Sequence, residues 1–179
     1  MPSAPTLFVH DAVLARLHSL PARPWEVGGW LLGYWGDDRR SLFVTHLTPP
    51  TAGRPWKVTI SGDGHRHYFD EAWDASGGEV TFLGDWHTHP GQPATPSRRD
   101  RLELVKLATA PDYGTRQPLI AIAKTGRWPW QERLSAPRFY LGDEAGETVE
   151  LEPRSVTALP ESAALIPEWP WPKPRESRF

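Results

Sequence analysis

Apolar and polar positions along this chain follow two rhythms, and the switches between them mark its elements. A short apolar run at Leu7 to Val9 reads as a strand. After Asp11, a residue that can cap a helix, Val13, Leu14, Leu17 and Leu20 recur at helical spacing until Pro21 and Pro24 end the pattern. Val27 to Trp35 and Leu42 to Leu47 are strand-like runs separated by Gly36-Asp37-Asp38-Arg39-Arg40, which predicts a hairpin connection, and a further short strand is expected at Lys57 to Ile60. His65 to Ala75 places Tyr68, Phe69, Ala72 and Trp73 at helical spacing, stopped by Gly77 and Gly78. Val80 to His89 predicts a strand with Val80, Phe82, Trp86 and Thr88 on one face and Leu83, Asp85, His87 and His89 on the other, if no bulge intervenes. Ser97 to Ala110 predicts a helix that buries Leu102, Val105 and Leu107; a loop to Pro118 and strands at Leu119 to Ala123, Arg138 to Gly142 and Glu147 to Leu151 follow. Helices interleaved with short strands, several joined by hairpin-like turns, predict an α/β sandwich with a mixed, curved β-sheet flanked by helices.

Length and composition narrow the picture. With 179 residues, 39% of them hydrophobic, the chain suits a single domain with a full core over residues 1–159 and a tail over 160–179. In that tail Pro167, Pro170, Pro172 and Pro174 alternate with Trp169, Trp171 and Lys173, a composition that favours extended polyproline geometry. Docking of the tail on its own domain is expected, because freely exposed tryptophans limit solubility. A formal net charge of -2 with no basic stripe excludes nucleic acid as a primary partner. No run is apolar enough for a membrane span, and the first residues lack a secretory pattern, so a cytoplasmic protein is expected. There are no cysteines, so any metal must be held by histidine and carboxylate.

Candidate chemistry centres on Trp86-His87-Thr88-His89-Pro90. Two histidines at i and i+2 on an extended segment project from one strand face and can share an ion. Asp100 supplies a third ligand from the next element, leaving one tetrahedral position for water, as in catalytic zinc sites. Ser97-x-x-Asp100 is also a helix capping box, and the two readings are compatible: a helix starting near Ser97 fixes the aspartate in its first turn. Reactive water needs a base, and Glu26, at the start of the glycine-rich run Glu26-Val27-Gly28-Gly29-Trp30-Leu31-Leu32-Gly33, is the candidate; its bland alternative is pairing with Arg23.

Together, Glu26 upstream and the spacing His-x-His-x7-Ser-x-x-Asp at His87, His89, Ser97 and Asp100 resemble the JAMM metalloproteases of the MPN domain superfamily, in particular prokaryotic members, over roughly Leu7 to Leu141. The resemblance implies the MPN (cytidine-deaminase-like) fold and one Zn2+ per chain held by His87, His89 and Asp100. It also implies Glu26 as general base and Ser97 as a donor to the oxyanion. The substrate it implies is the amide bond after the C-terminal tail of a ubiquitin-like protein, cut in deconjugation or precursor processing. Its setting would be a bacterial conjugation or antiphage defence pathway, with E1/E2-like cassette proteins as partners. Trimming of a sulfur-carrier precursor is the enzymatic alternative; a noncatalytic MPN scaffold or a partner-recruiting module is the alternative from another class. The segments Pro49 to Gly64 and Pro111 to Pro118 are candidate walls for an extended substrate tail.

Other residues carry plainer expectations. Asp85 reads as a solvated carboxylate, with support of a ligand histidine as the alternative. His65 and His67 head a helix, where residues two apart do not face one another, and read as surface histidines. Trp56, Trp128 and Trp130 read as core or loop anchors.

Overall fold

The computed structural model describes residues 4–52, 58, 60, 62–128 and 136–157; residues 57 and 59 of the expected strand at 57–60, Trp56, Trp130 and the tail from 160 lie outside the described residues. Among the described residues, nine strands and three α-helices follow in the order β1 (Thr6–His10), α1 (Asp11–His18), β2 (Val27–Trp35), β3 (Ser41–Leu47), β4 (Thr51–Ala52), α2 (Arg66–Ala75), β5 (Thr81–Pro90), α3 (Arg98–Thr109), β6 (Leu119–Thr125), β7 (Arg138–Gly142), β8 (Thr148–Leu151) and β9 (Pro153–Val156). The sheet order is β8-β7-β6-β5-β2-β3-β1-β9, with β4 paired to the start of β2. It is mixed: β5–β6, β1–β3 and β1–β9 are parallel, and the other pairs antiparallel. Because β8 and β9 are separated by Glu152 alone yet sit at opposite ends of this order, the sheet must curl until its ends meet. The expected mixed, curved sheet is therefore present, bent further into a near-barrel.

Curling creates an inner and an outer face. The inner face holds the main core, in which Leu7, Val9, Val27, Leu31, Val44, Leu83, Trp86, Leu119, Phe139 and Leu151 surround Val13 and Leu17 of α1. The helix starts at Asp11, and the cap is His10, whose ring nitrogen accepts from the Ala12 N–H; Asp11 instead receives the Ser155 hydroxyl of β9. On the outer face α2 covers Trp30, Leu32, Val80 and Phe82 through Ala72 and Phe69, and α3 covers Ile120, Ile122 and Tyr140 through Leu104. The buried residues of α3 are Leu104, Leu107 and Ala108, while Leu102, expected inside, is 54% exposed. Leu107 is buried as expected and Val105 is half-buried.

A bulge intervenes in β5. Leu31 pairs with Gly84 and Leu32 with Phe82, so Leu83 is extra and the side-chain alternation reverses there. Leu83 thus joins Trp86 inside, whereas Phe82 shares the outer face with His87 and His89. Gly84 makes this possible, with φ of 151° and a hypothetical Cβ only 1.9 Å from the Leu119 carbonyl oxygen. Gly84→Ala is expected to destabilise by about 3 kcal/mol through strain and overlap, read as a lower urea midpoint; an unchanged midpoint would show that the bulge relaxes freely.

Candidate metal centre

The outer face at the end of β5 carries His87 and His89, 4% and 7% exposed. Their Nε2 atoms lie 3.0 Å apart, and each is 3.5 Å from an Asp100 oxygen. One ligand atom from each of the three residues falls within 4.8 Å of the others. The strand supplies the first two because its period of two keeps them on one face, and the first turn of α3 supplies the third. Ser97 and Asp100 form the expected capping box: the Asp100 carboxylate accepts from the Ser97 N–H at 2.6 Å, and the Ser97 hydroxyl oxygen accepts from the Asp100 N–H at 3.3 Å. This box orients the carboxylate, and its cap contributes about 1 kcal/mol to the helix.

The donor chemistry fits a divalent ion. His89 Nδ1–H donates to the Pro93 carbonyl at 2.7 Å, which leaves the Nε2 lone pair directed at the cluster. Burial, only partly offset by Asp100, pushes His87 down to about 4, so its ring stays neutral and able to ligate. For His89, burial is outweighed by the hydrogen bond and charge of Asp100 and by the Pro93 carbonyl, and its pKa is raised. Asp100 is likewise held well below the carboxylate range, since its bonds to His89, His87 and Ser97 outweigh its burial. Two imidazole nitrogens, one carboxylate and no sulfur suit zinc with an open position.

Glu26 stands just before β2, whose Gly28 pairs with His87. Its carboxyl is raised by burial, within electrostatic reach of His89, Asp100 and Arg99, and accepts the Val58 N–H at 3.1 Å. No pairing to Arg23 holds it among the described residues. Close approach of β2 to β5 requires small residues, since a Cβ on Gly28 would lie 2.5 Å from the Trp86 carbonyl oxygen and 2.9 Å from both His87 Cβ and Ile60 Cδ1. Thr88, between the histidines, points inward and ties down the residue after Glu26 by accepting the Val27 N–H at 3.0 Å. Sequence reasoning missed this clasp, although a hydroxyl residue on the inner face of a buried strand was its signal.

Two expectations are corrected. Asp85 is not a solvated turn residue: it lies mid-strand opposite Trp30 and Ile120, where burial, with Glu103 nearby, pushes it up to about 7. His65 is 1% exposed, and burial pushes it down to about 4. Hydroxyl partners on Thr48 and Thr51 make that burial tolerable; His67, beside it, is exposed as expected. Trp128, expected as a core or loop anchor, lies in the connection after β6 and is 45% exposed. Away from the cluster along the same face, Trp30, Phe69, Trp73, Phe82 and Tyr113 line a cleft that the 111–114 turn helps to wall.

A curled mixed sheet presenting two strand histidines and a helix-borne aspartate that could hold a metal ion is the arrangement of a JAB/MPN-type domain. The family described as prokaryotic homologues of the JAB domain (Prok-JAB) matches residues 10–134, and the chain belongs to it. A probable metalloprotease of Sinorhizobium fredii is 28% identical over 119 residues, 65% of this chain and 70% of that protein. A CD-NTase/cGAS isopeptidase of Pseudomonas aeruginosa is 35% identical over 86 residues, 46% of this chain and 53% of that protein, so the chain spans about half the length of that relative. Among solved structures, a Desulfitobacterium hafniense protein superposes with a TM-score of 0.55 at 18% identity, covering 86% of this chain and 95% of that one. A Salinibacter ruber protein does so at 0.50 and 22%, covering 89% and 95%; both likenesses show the fold alone. No helix of the described residues is long and apolar enough to cross a membrane.

Proposed function

We propose that this protein is a zinc-dependent isopeptidase that hydrolyses the amide bond after the C-terminal tail of a ubiquitin-like protein, in the bacterial cytoplasm, within a conjugation or antiphage defence pathway. The observation that carries this reading is the convergence of His87, His89 and Asp100 beside a half-buried, hydrogen-bonded Glu26. The isopeptidase names of relatives supply the bond class. E1/E2-like proteins of the same cassette are the proposed partners, and residues 1–159 the catalytic domain.

In this reading His87, His89 and Asp100 hold the ion. Zinc, when bound, polarises the scissile carbonyl and makes water nucleophilic at neutral pH. Glu26 takes a proton from the attacking water and passes it to the leaving amine; its raised pKa brings it nearer the working pH than an ordinary carboxylate. Ser97 uses its oxygen lone pair for the helix cap, which leaves its O–H free to donate to the oxyanion.

The test is cleavage of fusions in which a ubiquitin-like protein ending in Gly-Gly is joined to a lysine side chain or to a peptide. Isopeptide cleavage that stops with a chelator and returns with zinc is the expected outcome. Chelator-insensitive cleavage would overturn the metal role, and cleavage of the linear fusion alone would replace deconjugation with precursor processing.

A further inference from the structure

His65 takes no part in the chemistry described above, yet it is one of the most buried polar side chains in the protein. Its two ring nitrogens bridge two threonines. The Trp30 N–H donates to Thr48 Oγ1 at 2.7 Å, and the Thr48 hydroxyl in turn lies 2.7 Å from His65 Nδ1. On the other side of the ring Nε2 lies 2.9 Å from Thr51 Oγ1, so the neutral imidazole donates one of these hydrogen bonds and accepts the other. Trp30 packs against the same ring, with centroids 5.6 Å apart.

The two threonines are the two ends of a critical stretch. Thr48 extends β3, its N–H donating to the Trp30 carbonyl at 3.0 Å. Thr51 begins β4, opposite Gly28, which in turn lies opposite His87. Beyond β4 the chain returns to the metal centre at two described residues: the Val58 N–H bonds Glu26, and Ile60 Cδ1 packs where a Gly28 Cβ would fall.

We propose that His65 is a positioning residue for hydrolysis: its ring locks β4 to the end of β3, and β4 in turn pairs with Val27 and Gly28, the two residues after Glu26, and so holds the backbone that carries the Glu26 carboxylate. This rests on the reading of Glu26 as the base. The imidazole suits the task because it is a rigid body with an acceptor and a donor on different sides, spanning two hydroxyls that no single aliphatic side chain can join.

Two variants test it on the full chain. His65→Phe keeps the ring and its contact with Trp30 while deleting both hydrogen bonds, and Thr51→Val deletes one partner at nearly constant shape. Both are expected to speed amide exchange in β4 at least tenfold with β6 and α3 amides unchanged, to leave zinc stoichiometry intact, and to lower kcat about tenfold through misplacement of the base. His65→Gln, whose amide can still hydrogen-bond Thr51, should restore part of the protection. Unchanged exchange in β4 in both variants, or equal acceleration across the whole protein, would overturn the clamp. Because exchange is read without substrate, it decides the clamp even if Glu26→Gln proves active and the base assignment falls.

Discussion

Glu26→Gln is expected to lower kcat about 10³-fold, roughly 4 kcal/mol of barrier, while zinc stoichiometry stays at one per chain. Glutamine keeps the size of the side chain and can still accept the Val58 N–H, so the geometry of the neighbouring segment survives. What it loses is the capacity to take a proton from water and return it to the amine. The carboxyl is raised mainly by burial, so the acidic limb of the rate profile should lie above the ordinary glutamate range and vanish in the variant. The measurement is kcat with a Gly-Gly fusion alongside metal analysis of the same preparation. A Glu26→Gln protein turning over within threefold of wild type would remove Glu26 from the chemistry.

Loss of the ion itself is the second large effect. In the proposed reading, His87→Ala or Asp100→Ala removes a ligand rather than a partner of a ligand. Zinc affinity should fall by well over the roughly 10–100-fold typical of losing an outer-shell contact, and activity should fall with it. The sign of the pH dependence follows from the metal-free cluster. His89 is raised above its unfolded value of about 6.5, so its imidazolium pairing with Asp100 stabilises the metal-free protein below that pH and is lost as pH rises through the folded pKa. Asp100 is depressed below about 3.9, so its contribution is present above that pH and is lost as pH falls through its folded pKa. Zinc must displace the His89 proton, so affinity should rise with pH and then level off. The difference in Tm with and without chelator should therefore widen from pH 5.5 to pH 8, and a difference that is flat across this range would contradict the assignment.

Much of this was legible because the cluster is local in sequence. His87, His89, Ser97 and Asp100 lie on one strand and the next helix, so periodicity and a capping pattern were sufficient to bring them together. β2 was equally readable as an apolar run, and β5 as a short apolar start leading into the His-x-His pair. What escaped depends on partners distant in the chain. The bulge at Leu83 is set by the approach of Leu119 to Gly84, and the lone glycine was its one local signal within the strand. His65 looked like a surface residue because its hydroxyl partners come from the preceding connection. β9, with Pro153, Arg154 and Ser155, has no apolar rhythm at all; it is a strand because the edge of β1 lies beside it. Glu26 was identifiable as a lone acid before a buried run, but only the pairing of Gly28 with His87 brings it to the histidines.

The proposed ligands and the proposed base are thus assembled by different kinds of contact. His87, His89 and Asp100 are gathered within one short stretch of chain, whereas Glu26 arrives only when strands far apart in the sequence have zipped together. A molecule trapped with that zipper open can carry its full complement of zinc and still be inert. Metal content therefore sets a ceiling on the competent fraction of a preparation, and titration of working centres is the quantity by which turnover numbers should be normalised.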